Sequence, residues 1–402
     1  MKRDLRALEA TLAKIDRQAL RRRRQTIESC PETGSRTEVM VAGRRLVDFC
    51  SNDYLGLARH PEIAAAMGEA VGRYGAGSGA AHLVTGHGIE HARLEEELAA
   101  FTGRERALLF STGYMANLAV VTSLAGRGEF VLLDRLSHAS LIDGALLSGA
   151  RFRRFAHGDV AAAQRMLAED SERAAVVATD GVFSMDGDVA SLPALARASR
   201  EHQAWLVVDD AHGLGVVGRT GRGTLELFGL NADDVPVLIG TLGKAFGSFG
   251  AFVAGSASDI ELLIQKARPY IYTTALPQPV AAATRKALEL AQRERWRRER
   301  VAKLTLRFRR GCAQLGLPIG ESTTPIQPVF LGSAEAAVHA QEQLLIAGFW
   351  VTAIRPPTVP TGSARLRVTL SAAHTEAQVD AFLAALAHAC KAGESPRYAA
   401  GS

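Results

Sequence analysis

Short apolar runs alternate with helix-spaced segments through the middle of the chain. Each run is rich in β-branched and aliphatic residues and has the length of one buried strand. The predicted strands are Ala107–Phe110, Phe130–Leu133, Ala174–Thr179, Trp205–Val208, Val237–Ile239 and Ala251–Ala254. Helical periods begin near Tyr114, Ser137 and Pro193. Apolar strands that alternate with helices predict an α/β domain whose mainly parallel sheet is covered on both faces.

The two ends of the chain follow a different pattern. Leucines at helical spacing predict a helix from residue 1 to about 27, followed by two short strands up to Cys50 and a helix from Pro61. After Pro277, a long helix to about Gln314 leads into strands and helices in an α+β order, with one predicted strand at Trp350–Ile354. We therefore predict an N-terminal segment (1–50), a large α/β domain (51–276), a smaller α+β domain (277–391) and a disordered tail (392–402).

Composition and charge narrow the class of protein. The 402 residues are 47% hydrophobic and 22% charged, as in a globular protein of two or three domains. The net charge of +5 comes largely from arginine-rich runs at 21–24 and 293–300, which we interpret as solvated helix faces rather than a nucleic-acid surface. No signal-peptide pattern opens the chain, and the uncharged run 107–126 contains hydroxyl residues and glycines. We predict a cytoplasmic protein without membrane association.

Four cysteines occur, at positions 30, 50, 312 and 390. Their spacing matches neither metal-binding nor redox motifs. We therefore predict reduced thiols and no metal site.

Polar side chains that could do chemistry fall at the carboxyl ends of the predicted strands. They are Ser111, Thr112, His138, Ser184, Asp209, His212 and Lys244. Ligands of open α/β sheets bind beyond these ends. The shared placement predicts one composite site at a single edge of the sheet.

Lys244 stands among apolar and glycine residues in the stretch Val237–Gly247. Desolvation lowers the pKa of a lysine and frees its amine to attack a carbonyl. The carbonyl could belong to a substrate or to pyridoxal phosphate. A surface lysine that follows a strand is the alternative interpretation.

Two further groups suit a charged, ring-shaped cofactor. Ser111–Tyr114 combines a strand end, a glycine and a helix start, which presents N–H groups to a phosphate, although an ordinary capped helix has the same pattern. Asp209 needs a cationic partner, such as a protonated pyridine nitrogen, and His212 could donate to a ring oxygen. Asp209, Asp210 and His212 also suit a divalent metal or a local salt bridge.

Other candidates depend on their neighbours in the fold. His138 could stack on a planar ring or only cap a helix. Thr241 could bind a phosphate beside Lys244, and Thr273 and Thr274 could add phosphate contacts from a partner subunit. Arg355 lies in a proline-rich loop and suits a substrate carboxylate, unless it belongs to a plain surface turn.

Several longer motifs occur in order along the chain. They are SNDYLGL at 51–57, the glycine cluster at 75–79, DRLSHAS at 134–140, GVFSMDG at 181–187, VDDAHG at 208–213, TLGKAFG at 241–247 and RPPTVPTGSARLR at 355–367. Their series resembles the α-oxoamine synthases, fold-type I pyridoxal-phosphate enzymes that join an amino acid to an acyl thioester with loss of carbon dioxide. The resemblance runs from about Arg21 to Leu370. It implies a transferase with a large α/β domain, a smaller α+β C-terminal domain, and a homodimer with shared active sites.

The resemblance also implies a role for each matching residue. Lys244 would hold the cofactor covalently and move the proton at the substrate Cα. Asp209 would pair with the pyridinium nitrogen, His212 would contact the ring oxygen, and His138 would stack on the ring. Further cofactor contacts would come from Gly113, Tyr114, Ser184, Thr241, Thr273 and Thr274. Substrate contacts would come from Arg21, Asn52, His138, Arg355 and Thr358.

One position departs from the family pattern. Asp180 stands where many relatives have glutamate before the GVFSMDG motif. The shorter side chain keeps the charge but retracts it, so Asp180 is left out of the predicted site.

The loop motif RPPTVP at 355–360 favours one branch of the family. That branch serves biotin synthesis and condenses L-alanine with a pimeloyl thioester, carried by coenzyme A or a carrier protein. Three alternatives remain. They are a branch that uses glycine and acetyl-coenzyme A, a nucleotide-binding oxidoreductase that would need a glycine fingerprint and no Lys244, and a non-catalytic binding protein with this fold.

Overall fold

The computed structural model describes residues 5–17, 21, 24–28, 36–170 and 175–392. The chain divides into two compact units: the first holds residues 52–301, and the second combines residues 1–51 with 302–402. The predicted boundary after residue 276 falls inside the first unit, because the helix Gln278–Arg293 packs on two other helices of that unit. Most of the predicted tail, residues 393–402, lies outside the described residues.

The strands of the described residues are numbered in chain order. They are β1 (Glu38–Val41), β2 (Arg44–Asp48), β3 (Arg106–Phe110), β4 (Phe130–Asp134), β5 (Arg151–Phe155), β6 (Ala175–Asp180), β7 (Trp205–Asp209), β8 (Val237–Thr241), β9 (Ala251–Gly255), β10 (Ile326–Gly332), β11 (Phe349–Trp350), β12 (Thr352–Ile354) and β13 (Ala364–Thr369).

The helices are numbered in the same way. They are α1 (Leu5–Arg17), α2 (Pro61–Tyr74), α3 (Ile89–Thr102), α4 (Gly113–Leu124), α5 (Ala139–Ser148), α6 (Val160–Glu169), α7 (Leu192–Glu201), α8 (Thr224–Phe228), α9 (Ala257–Lys266), α10 (Arg268–Ile271), α11 (Gln278–Arg293), α12 (Trp296–Gln314), α13 (Ala334–Ile346) and α14 (Glu376–Ala392). A π-helix over His82–Gly86 precedes α3.

The first unit is built on a seven-stranded sheet with the order β3-β9-β8-β7-β6-β4-β5. Only β9 is antiparallel to its neighbours, and this confirms the predicted mainly parallel sheet. Alternate residues of each strand face opposite sides. Val131 and Leu133 of β4 pack with α4, α5 and α9, whereas Phe130 and Leu132 pack with α6 and α7. Both faces of the sheet are therefore covered.

The second unit has an α+β arrangement. β1 and β2 form a hairpin, and β11 adds parallel to β2. A second sheet has the antiparallel order β10-β13-β12. Phe49 stacks on the rings of His374 and Phe382, each with centroids 4.2 Å away, and this ties the segment after β2 to α14.

The structure corrects three predicted elements. The N-terminal helix ends at Arg17 instead of about residue 27, since residues 21 and 24–28 are not helical. In a helix Arg21 and Arg24 would be neighbours three positions apart, and like charges at that spacing disfavour a helix. The long helix after Pro277 is two helices, because Glu294 leaves the helical conformation with φ −97° and ψ 61°. Its carboxylate accepts a hydrogen bond from Arg297 Nε at 2.6 Å in the first turn of α12.

The third correction concerns the predicted strand at 350–354. It is split between β11 and β12, which belong to different sheets. The sequence pattern also missed β5, α6, α8 and α9. In β5 the sequence RFRRF places arginines on a strand at the sheet margin, so the strand lacks an apolar run.

Two findings bear on the predicted environment. Within the described part of the chain, no helix combines the length and apolar character that a membrane span requires. Cys50, Cys312 and Cys390 are present as thiols, and burial raises the pKa of Cys312 to about 12.

Candidate active site

The predicted polar residues gather at one edge of the seven-stranded sheet. β3 and β8 both pair antiparallel with β9, so they run in the same direction as β4, β6 and β7. Their carboxyl ends therefore share one edge. Thr112 follows β3, His138 follows β4, and Asp209 and Thr241 end β7 and β8.

Lys244 lies in a short turn after β8 and contacts His212. Its Nζ is 2.8 Å from His212 Nε2. The other ring nitrogen of His212, Nδ1, lies 2.7 Å from the hydroxyl of Tyr54, which is fully buried. The Tyr54 hydroxyl donates in turn to Asn52 Oδ1 at 3.1 Å. The predicted residues Lys244, His212 and Asn52 are thus connected through a residue that was not predicted.

Asp209 is buried at the end of β7 and is held by amide donors. Asn117 Nδ2, on α4, donates to Asp209 Oδ2 at 2.6 Å, and the backbone N–H of Ala211 donates to Oδ1 at 3.0 Å. Asn117 Nδ2 also donates to Ser140 Oγ at 2.7 Å. Because these donors are neutral, they orient the carboxylate and leave its charge to a cation.

His138 occupies the N-cap position of α5. Its Nδ1 lies 2.7 Å from Ser140 Oγ and accepts from the Ser140 N–H at 3.3 Å. Burial lowers the pKa of His138, and the charge of Lys244 lowers it further while Asp209 opposes the shift. The capping role considered from the sequence is present, and the neutral ring is suited to stacking.

Asp180 ends β6 directly beside Asp209, although the sequence prediction left it out. The backbone N–H of His138 donates to Asp180 Oδ2 at 2.9 Å. Complete burial raises the pKa of Asp180 well above its usual range, and the nearby Asp209 charge raises it further. Two buried carboxyl groups at neighbouring strand ends disfavour double ionisation.

The N-terminus of α4 opens onto this edge. Thr112 caps the helix by accepting a hydrogen bond from the Met115 N–H at 3.1 Å. The N–H groups of Gly113 and Tyr114 belong to the first turn, where a helix supplies no internal acceptor. The Tyr114 hydroxyl donates to Asp143 of α5, which raises the pKa of Tyr114.

Other predicted cofactor residues lie in loops of the first unit. Thr241 Oγ1 donates to the carbonyl of Gly250 at 3.2 Å, which closes the turn that carries Lys244. Ser184 is partly buried in the loop between β6 and α7. Thr274 pairs with Ala81 in an isolated antiparallel bridge, and Thr273 precedes it along the chain.

Three predicted substrate residues belong to the second unit. Arg21 forms a salt bridge with Asp16 at 2.8 Å. Arg355 and Thr358 share a turn in which the Thr358 N–H donates to the Arg355 carbonyl at 3.0 Å. Their roles toward a substrate stay predictions.

Residues that the sequence reasoning missed are Tyr54, Asn117, Ser140 and Asp180. Tyr54 and Ser140 lie inside the quoted motifs at 51–57 and 134–140, so their motif membership was a usable signal. Asn117 had a weaker one: it is a polar residue within the otherwise apolar helical segment GYMANLAVV. A buried amide there needs a partner, but the sequence does not say which.

Comparison with known proteins places this geometry in a family. The model described as aminotransferase class I and II matches residues 44–386. The 8-amino-7-oxononanoate synthase of Methylococcus capsulatus is 58% identical over 380 residues, which cover 94% of this chain and 97% of that protein. The chain belongs to the class I and II aminotransferase family. The relative confirms the resemblance that the motifs indicated.

Similar solved structures confirm the predicted fold class. A serine palmitoyltransferase from S. paucimobilis, which holds a pyridoxal-phosphate adduct, has a TM-score of 0.91 and 32% identity over 97% of this chain and 99% of that chain. The 8-amino-7-oxononanoate synthase of Francisella tularensis has a TM-score of 0.76 and 32% identity over 86% and 98% of the two chains.

The residues at the sheet edge fit pyridoxal phosphate, the cofactor that this aminotransferase family implies. The first turn of α4 offers N–H groups to a phosphate, and no atom of the described residues would meet a Cβ placed at Gly113 within 4 Å. The buried carboxylate of Asp209 suits a protonated ring nitrogen, and the amine of Lys244 suits an aldehyde. Asn117 Oδ1 is buried there without a hydrogen-bond partner in the described part of the chain.

Proposed function

We propose that this protein condenses L-alanine with a pimeloyl thioester, with pyridoxal phosphate as its cofactor. The products would be 8-amino-7-oxononanoate, carbon dioxide and the free thiol of the carrier, coenzyme A or an acyl carrier protein. The 58% identity to a synthase of that name over nearly the whole of both chains supports this assignment.

A single geometric observation carries the proposal. The Lys244 amine, 2.8 Å from His212 Nε2, stands at the same sheet edge as the amide-held Asp209 carboxylate and the open first turn of α4. An amine, a carboxylate and an anion site in one place match the aldehyde, the protonated ring nitrogen and the phosphate of pyridoxal phosphate.

Each residue has a defined task in this proposal. Bound pyridoxal phosphate would supply an electron sink for the pair released from the amino-acid Cα. Lys244 would anchor the cofactor and then move the Cα proton, and His212 would fix the position of the Lys244 amine. Asp209 would hold the ring nitrogen in its protonated form. The neutral His138 ring would cover one face of the cofactor.

The remaining contacts are assigned by charge and position. Gly113, Tyr114, Ser184 and Thr241 would hold the phosphate and ring of the cofactor. Asn52, Arg355 and Thr358 would orient the substrate carboxylate, and Arg21 would attract the anionic acyl carrier. These assignments extend the sequence prediction and rest on the same motif positions.

We further propose that the protein acts as a cytoplasmic homodimer. Thr274 is exposed, and its backbone pairs with that of Ala81. Thr273 and Thr274 would then complete the phosphate site of the neighbouring subunit.

The decisive experiment combines a spectrum with thiol release. Purified protein is expected to show the visible band of covalently held pyridoxal phosphate, and the band should change when L-alanine is added. Thiol release from pimeloyl-coenzyme A should require L-alanine, while glycine with acetyl-coenzyme A should be far less effective. The opposite preference would favour the glycine branch.

Lys244→Ala tests the site itself. We expect loss of the covalent band and of activity by at least about 10³-fold, because the anchoring and proton-moving amine is absent. Lys266→Ala is the matched control, since Lys266 donates to the Ser123 carbonyl at 2.8 Å, at the C-terminal end of α4 and away from the proposed site. A Lys244→Ala variant that keeps both the band and the turnover would contradict the proposal.

A further inference from the structure

Three histidines outside the proposed active site converge at one point of the first unit. His82 opens the π-helix, His87 follows it, and His91 lies in the first turn of α3. One ring nitrogen from each lies within 4.8 Å of the other two. The ring centroids are 5.1 to 5.4 Å apart. We call these residues the histidine trio.

The ring nitrogens of the trio lie close enough together to share one metal ion. His82 Nδ1 and His87 Nδ1 face each other at 3.0 Å, so one must carry a proton or both lone pairs must meet a cation. His91 Nε2 donates to the Leu276 carbonyl, which leaves the lone pair on Nδ1. A backbone carbonyl that fixes the tautomer in this way is the usual support of a metal-bound histidine.

The surroundings favour neutral imidazoles. His82 and His91 are buried, and burial lowers the pKa of all three histidines, for His82 to about 3. His82 also stacks on the ring of Tyr270 with centroids 5.0 Å apart. The carboxylate of Glu95 lies 4.0 Å from His87 Nε2, where it can support the ligand without being one.

We propose that the histidine trio binds one divalent ion of the late first transition series, namely Zn²⁺, Ni²⁺ or Cu²⁺. Imidazole is the ligand that these ions share, whereas Mg²⁺ and Ca²⁺ prefer oxygen. Three protein ligands leave a fourth position for water. The backbone contact that must give way is the hydrogen bond from the Gly88 N–H to His91 Nδ1, 2.9 Å long.

The site would join two segments that already touch. Ala81 pairs with Thr274, the Ala275 N–H donates to the Ala80 carbonyl at 2.9 Å, and Leu276 accepts from His91. An ion held by the trio binds the folded state and not the unfolded chain. We therefore expect it to raise the melting temperature in a concentration-dependent way.

The test is a titration of tag-free holoenzyme with ZnCl₂, followed by calorimetry and by thermal melting. We expect saturation at about one ion per chain, as one trio predicts, and an unchanged cofactor spectrum. CoCl₂ serves as a second probe, because its visible bands separate nitrogen from sulfur ligation. Sulfur ligation would assign the ion to a cysteine and overturn the proposal.

Two variants locate the ion. His87→Gln removes the exposed member of the trio and should weaken binding by about 100-fold or more, with unchanged circular dichroism and cofactor absorbance. His91→Gln should do the same if it folds. The control is His202→Gln, which removes an imidazole of the same unit that lies outside the trio. This variant should bind Zn²⁺ as tightly as the parent protein does.

A second group of possible metal ligands is the alternative binding site for the ion. His60, Glu62 and Glu294 also approach within 4.8 Å of one another. Unchanged affinity in His60→Gln together with lost affinity in His87→Gln supports the trio. The reverse pattern, or a parent protein that binds no Zn²⁺, overturns the proposal.

Discussion

At the residue scale, the site depends on a chain of contacts that begins at Lys244 and ends at Asn52. His212 lies between Lys244 and Tyr54, with 2.8 Å and 2.7 Å separations at its two ring nitrogens. The hydroxyl of Tyr54 is buried, so its hydrogen bond to His212 is protected from water. Tyr54 therefore sets the orientation of the imidazole that contacts the amine.

Tyr54→Phe should lower turnover without preventing folding. Loss of a hydrogen bond to a group that acts beside the reacting amine is expected to reduce kcat by about tenfold to 100-fold and to shift its pH profile. Steady-state kinetics over a range of pH values measures both effects.

Tyr74→Phe is the control for that prediction. It also removes one hydroxyl hydrogen bond, to Glu90 at 3.2 Å, but on α2 and outside the site. Equal effects of the two substitutions would show that Tyr54 acts only through stability.

At the element scale, two connections after strands determine where the site residues stand. The turn after β8 contains Gly247, whose φ is +61°. A Cβ at this position would lie 2.3 Å from the backbone nitrogen of Ala58. Only glycine fits because both the dihedral and the contact exclude a side chain. The turn holds Lys244 against the segment that carries Tyr54.

Gly247→Ala should therefore destabilise the protein more than a positive φ alone would. Gly103→Ala provides the comparison, since Gly103 has φ +68° and open space around a Cβ. We expect a loss of about 1 to 2 kcal/mol for Gly103→Ala and at least about 3 kcal/mol for Gly247→Ala. Denaturant unfolding monitors both, and similar losses would contradict the close approach.

The second connection is the loop between β6 and α7, which carries Ser184. His157 lies between Asp134, at the end of β4, and Asp188 in this loop, at 3.0 Å and 2.9 Å. Hydrogen bonds to these two carboxylates raise the pKa of His157 to about 10. The charged imidazole thus fastens the loop to the sheet.

This contact predicts a pH dependence of stability. The raised pKa means that the protonated form stabilises the fold fully below the unfolded value of 6.5 and that this contribution disappears as the pH rises to about 10. The difference in unfolding free energy between the parent protein and His157→Gln should shrink over that interval. A constant difference for His157→Gln across that interval would refute the ion pair.

At the scale of the whole molecule, the proposed homodimer determines which chain completes each site. Lys244 and Thr274 both belong to the first unit, yet the homodimer assigns them to different active sites. Subunit mixing distinguishes this arrangement from a site made by one chain, since each symmetric dimer contains two equivalent sites.

Lys244→Ala and Thr274→Glu should each be inactive as homodimers, the second because a carboxylate repels the phosphate. After the two are mixed and reassociated, each heterodimer regains one intact site. Random reassociation should then restore about a quarter of the parent activity. No recovery, with heterodimers verified by mass, would place Thr274 in the site of its own chain.

Much of the fold follows from the sequence because its cause is local. Alternating apolar runs and helical periods predicted strands β3, β4, β6, β7, β8 and β9 and the start of α2 at Pro61. These patterns missed β5 because its arginines interrupt the apolar run that marks a buried strand. They predicted α11 and α12 as one helix because no proline or glycine marks the break at Glu294. Local patterns therefore determined element identity better than element ends.

The sequence by itself determined which residues stand at strand ends, and hence that Lys244, Asp209, His212 and His138 belong to one edge of a sheet. Only the tertiary structure decided which side chains meet there. Asn117 reaches Asp209 across 92 positions, and Tyr54 reaches His212 across 158. It also assembled the histidine trio from a π-helix and the start of α3. The physical reason is that strand order and helix packing are set by burial of the whole core, which no local period records.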